Sequence, residues 1–120
     1  MVGTDILTVD SGFMQPQVGS NFTNSSFSGN YIFGSQPPLV SGGDVGVGVV
    51  TLDGNGNVSG TTDFNAGGTV TTKTITDTFT VSANGRSVNS DSVSYIVSTS
   101  EAVMIDHTHS NTPTISVIEK

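Results

Sequence analysis

Apolar residues recur at every second position along much of this chain. Val45, Val47 and Val49 alternate with Gly or Val, and the same spacing recurs in residues 93–97 and 115–119. Successive side chains of a β-strand point to opposite faces, so a period of two predicts half-buried strands. No stretch of the sequence keeps apolar residues at the i, i+3, i+4, i+7 spacing of an amphipathic helix. The alternation therefore predicts an all-β protein.

Turn signals separate the strand-like runs. Asp-Gly-Asn-Gly at residues 53–56 and Asn-Gly at residues 84–85 lie between β-patterned segments, which is the strongest short-range hairpin signal. Further turns are predicted at residues 66–68, 98–101 and 107–112, and a longer loop at 36–43. The strands predicted between them lie at residues 5–9, 12–15, 30–34, 45–52, 57–64, 70–81, 86–90, 93–97, 102–106 and 114–119. The sequence thus predicts about eight to ten short strands.

Short links between successive strands favour an antiparallel meander. A meander of this length must protect its edges by closing into a barrel or by folding into a sandwich. We expect one β domain over residues 1–120, built as a small barrel that is closed or partly open, with a β-sandwich as the alternative. Residues 6–17 repeat the order of residues 103–119: apolar strand, Asp, turn, strand. Residues 1–17 are therefore either part of this domain, the terminal hairpin of a preceding repeat, or a strand-exchange segment.

The charge balance limits the partners. Three Lys and Arg oppose ten Asp and Glu, and the net charge is -7. Phosphate binding requires clustered Lys and Arg, so nucleic acid and anionic membrane surfaces are not expected partners. No apolar run is long enough to span a bilayer. Cysteine is absent, which excludes disulfides and thiolate metal sites. The excess of Ser, Thr, Asn and Gly favours an extracellular location.

An ordered series of turn and strand motifs carries a family resemblance. The motifs lie at residues 28–34, 53–60, 78–81, 84–86 and 95–98, followed by a closing apolar strand that ends in Asp. Over residues 22–120 the chain resembles repeat modules of large secreted or cell-surface proteins of acidobacteria and related environmental bacteria. The resemblance implies a secreted bacterial protein, located outside the cell or on its surface. It transfers no catalytic residues.

Five threonines occupy alternate positions of one predicted strand: Thr72, Thr74, Thr76, Thr78 and Thr80. On a strand they share one face. The simplest interpretation is a solvent-exposed face, since Thr combines high β propensity with solubility. A packing surface between subunits is the second interpretation. An ice-binding array would need matching rows on neighbouring strands, and only residues 61–62 and Thr69 offer any.

The N-terminal segment, residues 4–17, is apolar and has no local strand partner if the repeat begins near Phe22. It could complete its own barrel or add to the open edge of a neighbour, where main-chain hydrogen bonds give affinity. Head-to-tail contacts of that kind build filaments. The interface candidates are Ile6, Leu7 and Val9, with Phe13 and Met14 as pocket fillers. We therefore expect a structural function, as a cell-surface repeat or fibre-forming subunit whose partners are further copies or neighbouring repeats.

Metal and catalytic sites are weakly indicated. Residues 53–57 resemble the start of a calcium loop, but the twelfth position is Phe64 where a bidentate Glu is required. His107 and His109 have a metal-ligand spacing, although surface histidines are the simpler interpretation. Neither a Gly-x-Ser-x-Gly motif nor a carboxylate pair with fixed spacing is recognisable. We expect no enzyme and no cofactor.

The alternative to a structural module is a binding module. Small eight-stranded barrels can enclose one small ligand. Sugars usually stack on aromatic side chains, and this chain has no Trp and two Tyr. A ligand- or carbohydrate-binding barrel is therefore the second hypothesis.

Overall fold

The computed structural model describes residues 14–35, 45–106 and 115–120. These residues form nine β-strands and a short 3₁₀ turn at Asn24–Ser26, with no α-helix among them. The strands are β1 (Ser28–Ser35), β2 (Val45–Asp53), β3 (Asn57–Ala66), β4 (Thr69–Thr78), β5 (Thr80–Val81), β6 (Arg86–Val88), β7 (Ser92–Ser98), β8 (Glu101–Asp106) and β9 (Ile115–Glu119). The described part of the chain includes no helix long and apolar enough to cross a membrane.

All nine strands belong to one antiparallel sheet, in the order β4-β3-β2-β1-β9-β8-β7-β6-β5. Strands that are neighbours in the sequence pair with each other, apart from β4 and β5, and β9 returns to pair with β1. The sheet curls into a half-barrel. The predicted all-β meander and partly open barrel are confirmed. The alternative β-sandwich is not the arrangement that the described residues adopt.

The strand predicted at residues 70–81 is in fact two strands. β4 ends at Thr78 and β5 begins at Thr80, yet they lie at opposite edges of the sheet. Phe79 joins them, with a buried side chain and an N–H that donates to the Gly56 carbonyl oxygen at 2.8 Å. Because the chain passes from one edge to the other through a single residue, the sheet must curl and the barrel is closed at this end.

The remaining described strands lie where the sequence predicts them, with small shifts of their ends. Met14 and Gln15 are the exception, because they lie in no strand although residues 12–15 were predicted to form one. The predicted strand at residues 5–9, the loop at 36–43 and the turn at 107–112 lie outside the described residues.

The β2–β3 hairpin turn is closed by its own side chains. Asp53 Oδ1 accepts the N–H groups of Asn55 at 2.7 Å and Asn57 at 3.0 Å. Gly56 has a φ of 101°, in the left-handed region that favours glycine. A β-carbon at this position would also lie 2.9 Å from the Phe79 carbonyl oxygen. The predicted Asp-Gly-Asn-Gly turn is therefore confirmed, and its second glycine is required by both conformation and space.

Aromatic side chains fill the closed end of the half-barrel. Phe27 packs edge-on against Tyr31 and Phe79, with ring centroids 5.3 Å and 5.7 Å away. Such pairs contribute about 0.5–1.5 kcal/mol beyond the area they bury. The 3₁₀ turn just before Phe27 is held in place by Asn24, whose Oδ1 accepts the N–H of Val81 at 2.8 Å. An aromatic cluster therefore fills the closed end, and a cavity lies beside it.

Candidate binding cavity and open seam

The half-barrel encloses a cavity of about 480 Å³. Strand ends line the cavity away from Phe79: Ser35 ends β1, Val45 begins β2, and Asp106 ends β8. Phe27 and Phe79 line the cavity from the closed end. Ligand pockets in proteins commonly have about 300–1,000 Å³, so this cavity has the size of a small-molecule site.

One side of the cavity, the apolar wall, is formed by β1, β2 and β3. Its side chains are Phe33, Val50, Leu52, Val58 and Phe64. The first four are buried and belong to the core cluster. This wall can exclude water from the flat apolar surface of a ligand, which is the main source of affinity in small-molecule sites.

The other side carries serines at matching positions of neighbouring strands. Ser87 of β6 pairs with Ser94 of β7, Ser94 with Met104 of β8, and Met104 with Ser116 of β9. The line continues to Ser35 of β1. Ser87, Ser94 and Ser116, here called the hydroxyl row, are 4%, 5% and 5% exposed. Because serine is small, these inward positions leave space that larger core residues would fill.

The hydroxyl row has no hydrogen-bond partners within the described part of the chain. Other serines around the cavity do have partners. Ser35 Oγ accepts the Gly46 N–H at 2.9 Å, and Ser92 Oγ donates to Asn89 at 3.0 Å. No side-chain nitrogen or oxygen of the described residues is both fully enclosed and unbonded. The three hydroxyls of the row are therefore accessible from the cavity, and a ligand could hydrogen-bond to them.

A hydrogen-bonded contact joins the two edges of the sheet near the Phe79 link. Asp77 of β4 accepts hydrogen bonds through Oδ2 from the Ser90 hydroxyl at 2.6 Å and from the Ser90 N–H at 3.1 Å. The hydroxyl hydrogen bond is the main reason why the pKa of Asp77 lies below its usual value, and the N–H of Thr78 adds to it. This contact joins β4 to the turn between β6 and β7.

Beyond this contact, the second edge of β4 is unpaired. Among the described residues no strand lies beside residues 69–76, and we call this free edge the open seam. At about 3.3 Å per residue it is roughly 26 Å long. The side chains that face the cavity from it include Thr71, Lys73 and Ile75. Lys73 Nζ lies 5.6 Å from the ring centroid of Phe64, so its charge is at the exposed rim of the apolar wall.

The predicted threonine face is exposed. Thr72, Thr74, Thr76 and Thr78 lie on the outer side of β4, while Thr80 is exposed on β5 at the opposite edge. The neighbouring outer positions of β3 do not continue the row. Thr61 lies beside Thr74, but Thr62 is buried and donates to the Val47 carbonyl oxygen, and Thr69 pairs with Ala66 at the hairpin end. The flat threonine array that ice binding requires is therefore not formed by these residues.

The N-terminal interface candidates are mostly outside the described residues. This applies to Ile6, Leu7, Val9 and Phe13. Met14 is described and is 98% exposed. Just after it, the chain is bound to its own sheet: Gln17 Nε2 donates to the Ile96 carbonyl oxygen at 2.7 Å, and the Val18 N–H donates to the Val97 carbonyl oxygen at 2.7 Å.

The calcium-like sequence at residues 53–57 has a structural use. Both carboxylate oxygens of Asp53 accept hydrogen bonds inside the turn, since Oδ2 accepts the Asn57 side-chain N–H at 2.6 Å. The Asn57 side chain is the leading cause of the lowered pKa of Asp53. Within residues 14–35, 45–106 and 115–120, no three His, Asp or Glu side chains lie close enough to hold a metal ion. His107 and His109 lie outside these ranges.

Comparison with known proteins gives no relative: no family model, no curated protein and no solved structure matches the chain. The class of site is therefore defined by its own chemistry. It is a half-barrel cavity between the apolar wall and the hydroxyl row, beside the open seam.

The hydroxyl row cannot be recognised from the sequence alone. Ser87, Ser94 and Ser116 are separated along the chain, and each looks like the polar, outward half of an alternating strand. Only the register of four strands brings them into one line. A usable signal exists in β7, where Ser92, Ser94 and Ile96 share a face and a large aliphatic residue stands beside the serines.

Proposed function

We propose that the chain is an extracellular structural module that assembles by accepting an extended segment along the open seam. The observation that carries this proposal is the unpaired edge of β4 beside a cavity. Composition and the family resemblance support a cell-surface repeat or fibre-forming subunit of a secreted bacterial protein. The proposed role is mechanical and involves no catalysis.

An unpaired strand edge readily accepts another strand. Natural proteins protect such edges with Lys, Pro, bulges or short strands. β4 has ten residues, contains no proline and has one lysine, Lys73. An added strand would gain main-chain hydrogen bonds along the seam, and every second side chain would point into the cavity. The free main-chain groups of β4 and the cavity beside them could therefore both contribute to affinity.

The occupant that we propose is residues 4–13 of a second copy. This segment contains the apolar residues Ile6, Leu7 and Val9. Residues 1–13 can extend about 43–47 Å at 3.3–3.6 Å per residue, which exceeds the length of the seam. Their own chain is anchored at Gln17 and Val18 by hydrogen bonds to β7. Each copy would hold its own segment at one end and offer the rest to a neighbour, which gives a head-to-tail filament.

The assembly is tested by light scattering and negative-stain electron microscopy of the full chain. The variant Ile6→Asp/Leu7→Asp/Val9→Asp should remain folded by circular dichroism but lose large oligomers, because burying the added carboxylates against apolar side chains is costly. The matched control Ser20→Asp/Ser82→Asp/Thr99→Asp adds the same charge at exposed positions outside β3 and β4 and should still assemble. A wild-type chain that remains a 12.3 kDa monomer overturns the proposal.

Crosslinking distinguishes pairing within one chain from pairing between two. The chain has no cysteine, so Val9→Cys and Thr71→Cys are each the sole thiol of their variant. The two variants, carrying different mass tags, are mixed and treated with a short bis-maleimide. We expect a covalent dimer that contains one copy of each. If the double variant crosslinks only within itself and the mixture yields no mixed dimer, the segment closes its own barrel.

Lateral contacts are a second part of the proposal. After strand addition to β4, Thr72, Thr74 and Thr76 would remain exposed on the outer face and available for packing between filaments. Thr74→Lys should therefore reduce side-by-side bundling in electron micrographs without shortening single filaments. Shorter filaments would assign Thr74 to the strand-addition contact.

A further inference from the structure

We infer that the cavity binds an uncharged amphipathic small molecule, with a flat apolar body on one side and carbonyl or hydroxyl oxygens on the other. This inference goes beyond assembly: it concerns the part of the cavity between the apolar wall and the hydroxyl row, whereas a strand added at the open seam would place its side chains beside β4. It rests on the hydroxyl row, on the opposing apolar wall, and on the placement of the charged side chains.

The hydroxyl row sets the polar side of the ligand. Ser87, Ser94 and Ser116 are each more than nine-tenths buried and reach the cavity without a protein partner among the described residues. Adjacent strands are about 4.8 Å apart, so the spacing is roughly 5 Å from Ser87 to Ser94 and roughly 10 Å from Ser94 to Ser116, across Met104. A serine hydroxyl donates one hydrogen bond and accepts two, so either carbonyl or hydroxyl oxygens would fit.

The apolar wall sets the other side. Phe33 and Phe64 present aromatic carbon to the cavity, and Val50, Leu52 and Val58 surround them. A ligand that lay with one face on this wall would have its opposite edge toward the hydroxyl row. The arrangement suits a ring compound that has oxygens along one edge. Its apolar face would contact the apolar wall, and its oxygens would hydrogen-bond to the hydroxyl row.

The charges argue for a neutral ligand. Lys73 is exposed at the rim beside Phe64, and the carboxylate of Asp77 is occupied by Ser90. Asp91 is exposed. Between the apolar wall and the hydroxyl row, the described residues therefore offer hydroxyl groups and no charged side chain. Burying an ionised group there would be costly, whereas a carbonyl or hydroxyl could exchange its hydrogen bonds with water for bonds to serine.

Nile red is a suitable probe, because it is neutral, flat and apolar, carries a carbonyl oxygen, and fluoresces more strongly out of water. Titration into the full chain should give saturable fluorescence with one site per chain. Ser94→Leu fills the cavity and should weaken binding by at least 10-fold. The matched control Ser59→Leu places the same residue on the exposed outer side of β3 and should bind as the wild type does.

A milder variant keeps the test decisive if Ser94→Leu fails to fold by circular dichroism. Ser94→Ala and Ser87→Ala each remove one hydroxyl without adding volume. Loss of one hydrogen bond should weaken Nile red binding by about 3- to 10-fold in the variant whose hydroxyl the carbonyl contacts. Unchanged affinity in both, together with unchanged affinity in Ser116→Ala, would show that the hydroxyl row does not recognise the ligand and would overturn the inference.

Three further outcomes would count against the inferred ligand site. Val47 and Val49 are exposed on the outer face and could bind the dye themselves, so Val47→Thr/Val49→Thr should leave the titration unchanged, and a loss of binding would place the dye there. Displacement of Nile red by a mixture of neutral oligosaccharides would identify a carbohydrate site and overturn the proposed ligand class. Absence of saturable binding to the wild type would overturn the inference altogether.

Discussion

The two walls of the half-barrel use the same strand geometry with opposite chemistry. In β1, β2 and β3 the inward residues are large and apolar, such as Phe33, Val50 and Leu52. In β6, β7 and β9 serines occupy the equivalent inward positions, notably Ser87, Ser94 and Ser116. One wall therefore supplies hydrophobic stabilisation, and the other leaves space and hydrogen-bonding groups. The proposed ligand site thus assigns fold stability to the apolar wall and ligand recognition to the hydroxyl row.

Glycines make the apolar wall tight. A β-carbon at Gly48 would lie 2.5 Å from the Thr61 carbonyl oxygen and 2.7 Å from the Phe33 ring. At Gly46 the closest contact would be the Phe64 ring, at 2.9 Å. The aromatic rings thus lie directly over backbone where side chains are absent. The hydroxyl row is not packed in this way, because its serines line the cavity.

The largest predicted effect is on the apolar wall. Phe33→Ala should lower the free energy of unfolding by about 3–5 kcal/mol, since it removes a buried ring and leaves a void. Ile32→Ala, on the adjacent outward position, is the control and should cost less than about 1 kcal/mol because Ile32 is 69% exposed. Urea denaturation followed by circular dichroism measures both. Similar losses for the two variants would contradict the assignment of the faces.

The second predicted effect concerns overpacking of the same wall. Gly48→Ala should destabilise the protein by about 1–3 kcal/mol, because the Thr61 carbonyl oxygen is backbone and cannot move away easily. Gly46→Ala should cost less, since the group that it meets is the half-buried side chain of Phe64. Thermal unfolding of the two variants provides the comparison. If Gly46→Ala lowers the melting temperature more than Gly48→Ala does, the backbone contact at Gly48 is not the tighter constraint.

The difference between the walls also explains what the sequence could predict. Turns with Asn-Gly or Asp-Gly, and hence most strand positions, follow from local backbone preferences, so residues 53–56 and 84–85 were predicted correctly. The division of residues 70–81 at Phe79 was not predicted. Both halves have strand character, and only closure of the sheet separates them. The cavity depends on which face points inward, and a period of two leaves that choice open.

In two strands the inward face is the one that hydropathy would place outside. Val47 and Val49 of β2 are exposed, while Gly46 and Val50 face the interior. Tyr95 of β7 is likewise exposed, and its neighbour Ser94 is buried. Glycine lets a ring approach the backbone, and serine leaves space for a cavity, so neither residue signals burial by its own hydrophobicity.

The third predicted effect is on the hydroxyl row, and it should be small. Ser116→Ala should change the free energy of unfolding by less than about 1 kcal/mol and in the stabilising direction or not at all, because the hydroxyl has no partner to lose among the described residues. Phe33→Ala in the same urea series is the reference. If the free energy of unfolding fell by about 2 kcal/mol or more, the Ser116 hydroxyl would be stabilising the folded chain.

The smallest predicted effect lies where the two edges of the sheet meet. Hydrogen bonds from Ser90, above all its hydroxyl, hold the pKa of Asp77 below the ordinary value, so the ionised carboxylate favours the folded state. A lowered folded pKa gives stability that is present above the unfolded aspartate pKa of about 3.9 and is lost as pH falls through the folded pKa. Because Asp77 is close to solvent, the contribution should be slight. Ser90→Ala should therefore lower the melting temperature at pH 7 and have less effect near pH 2, whereas Ser59→Ala should change neither. An equal loss at both pH values would show that Ser90 supports the β6–β7 turn independently of the Asp77 charge.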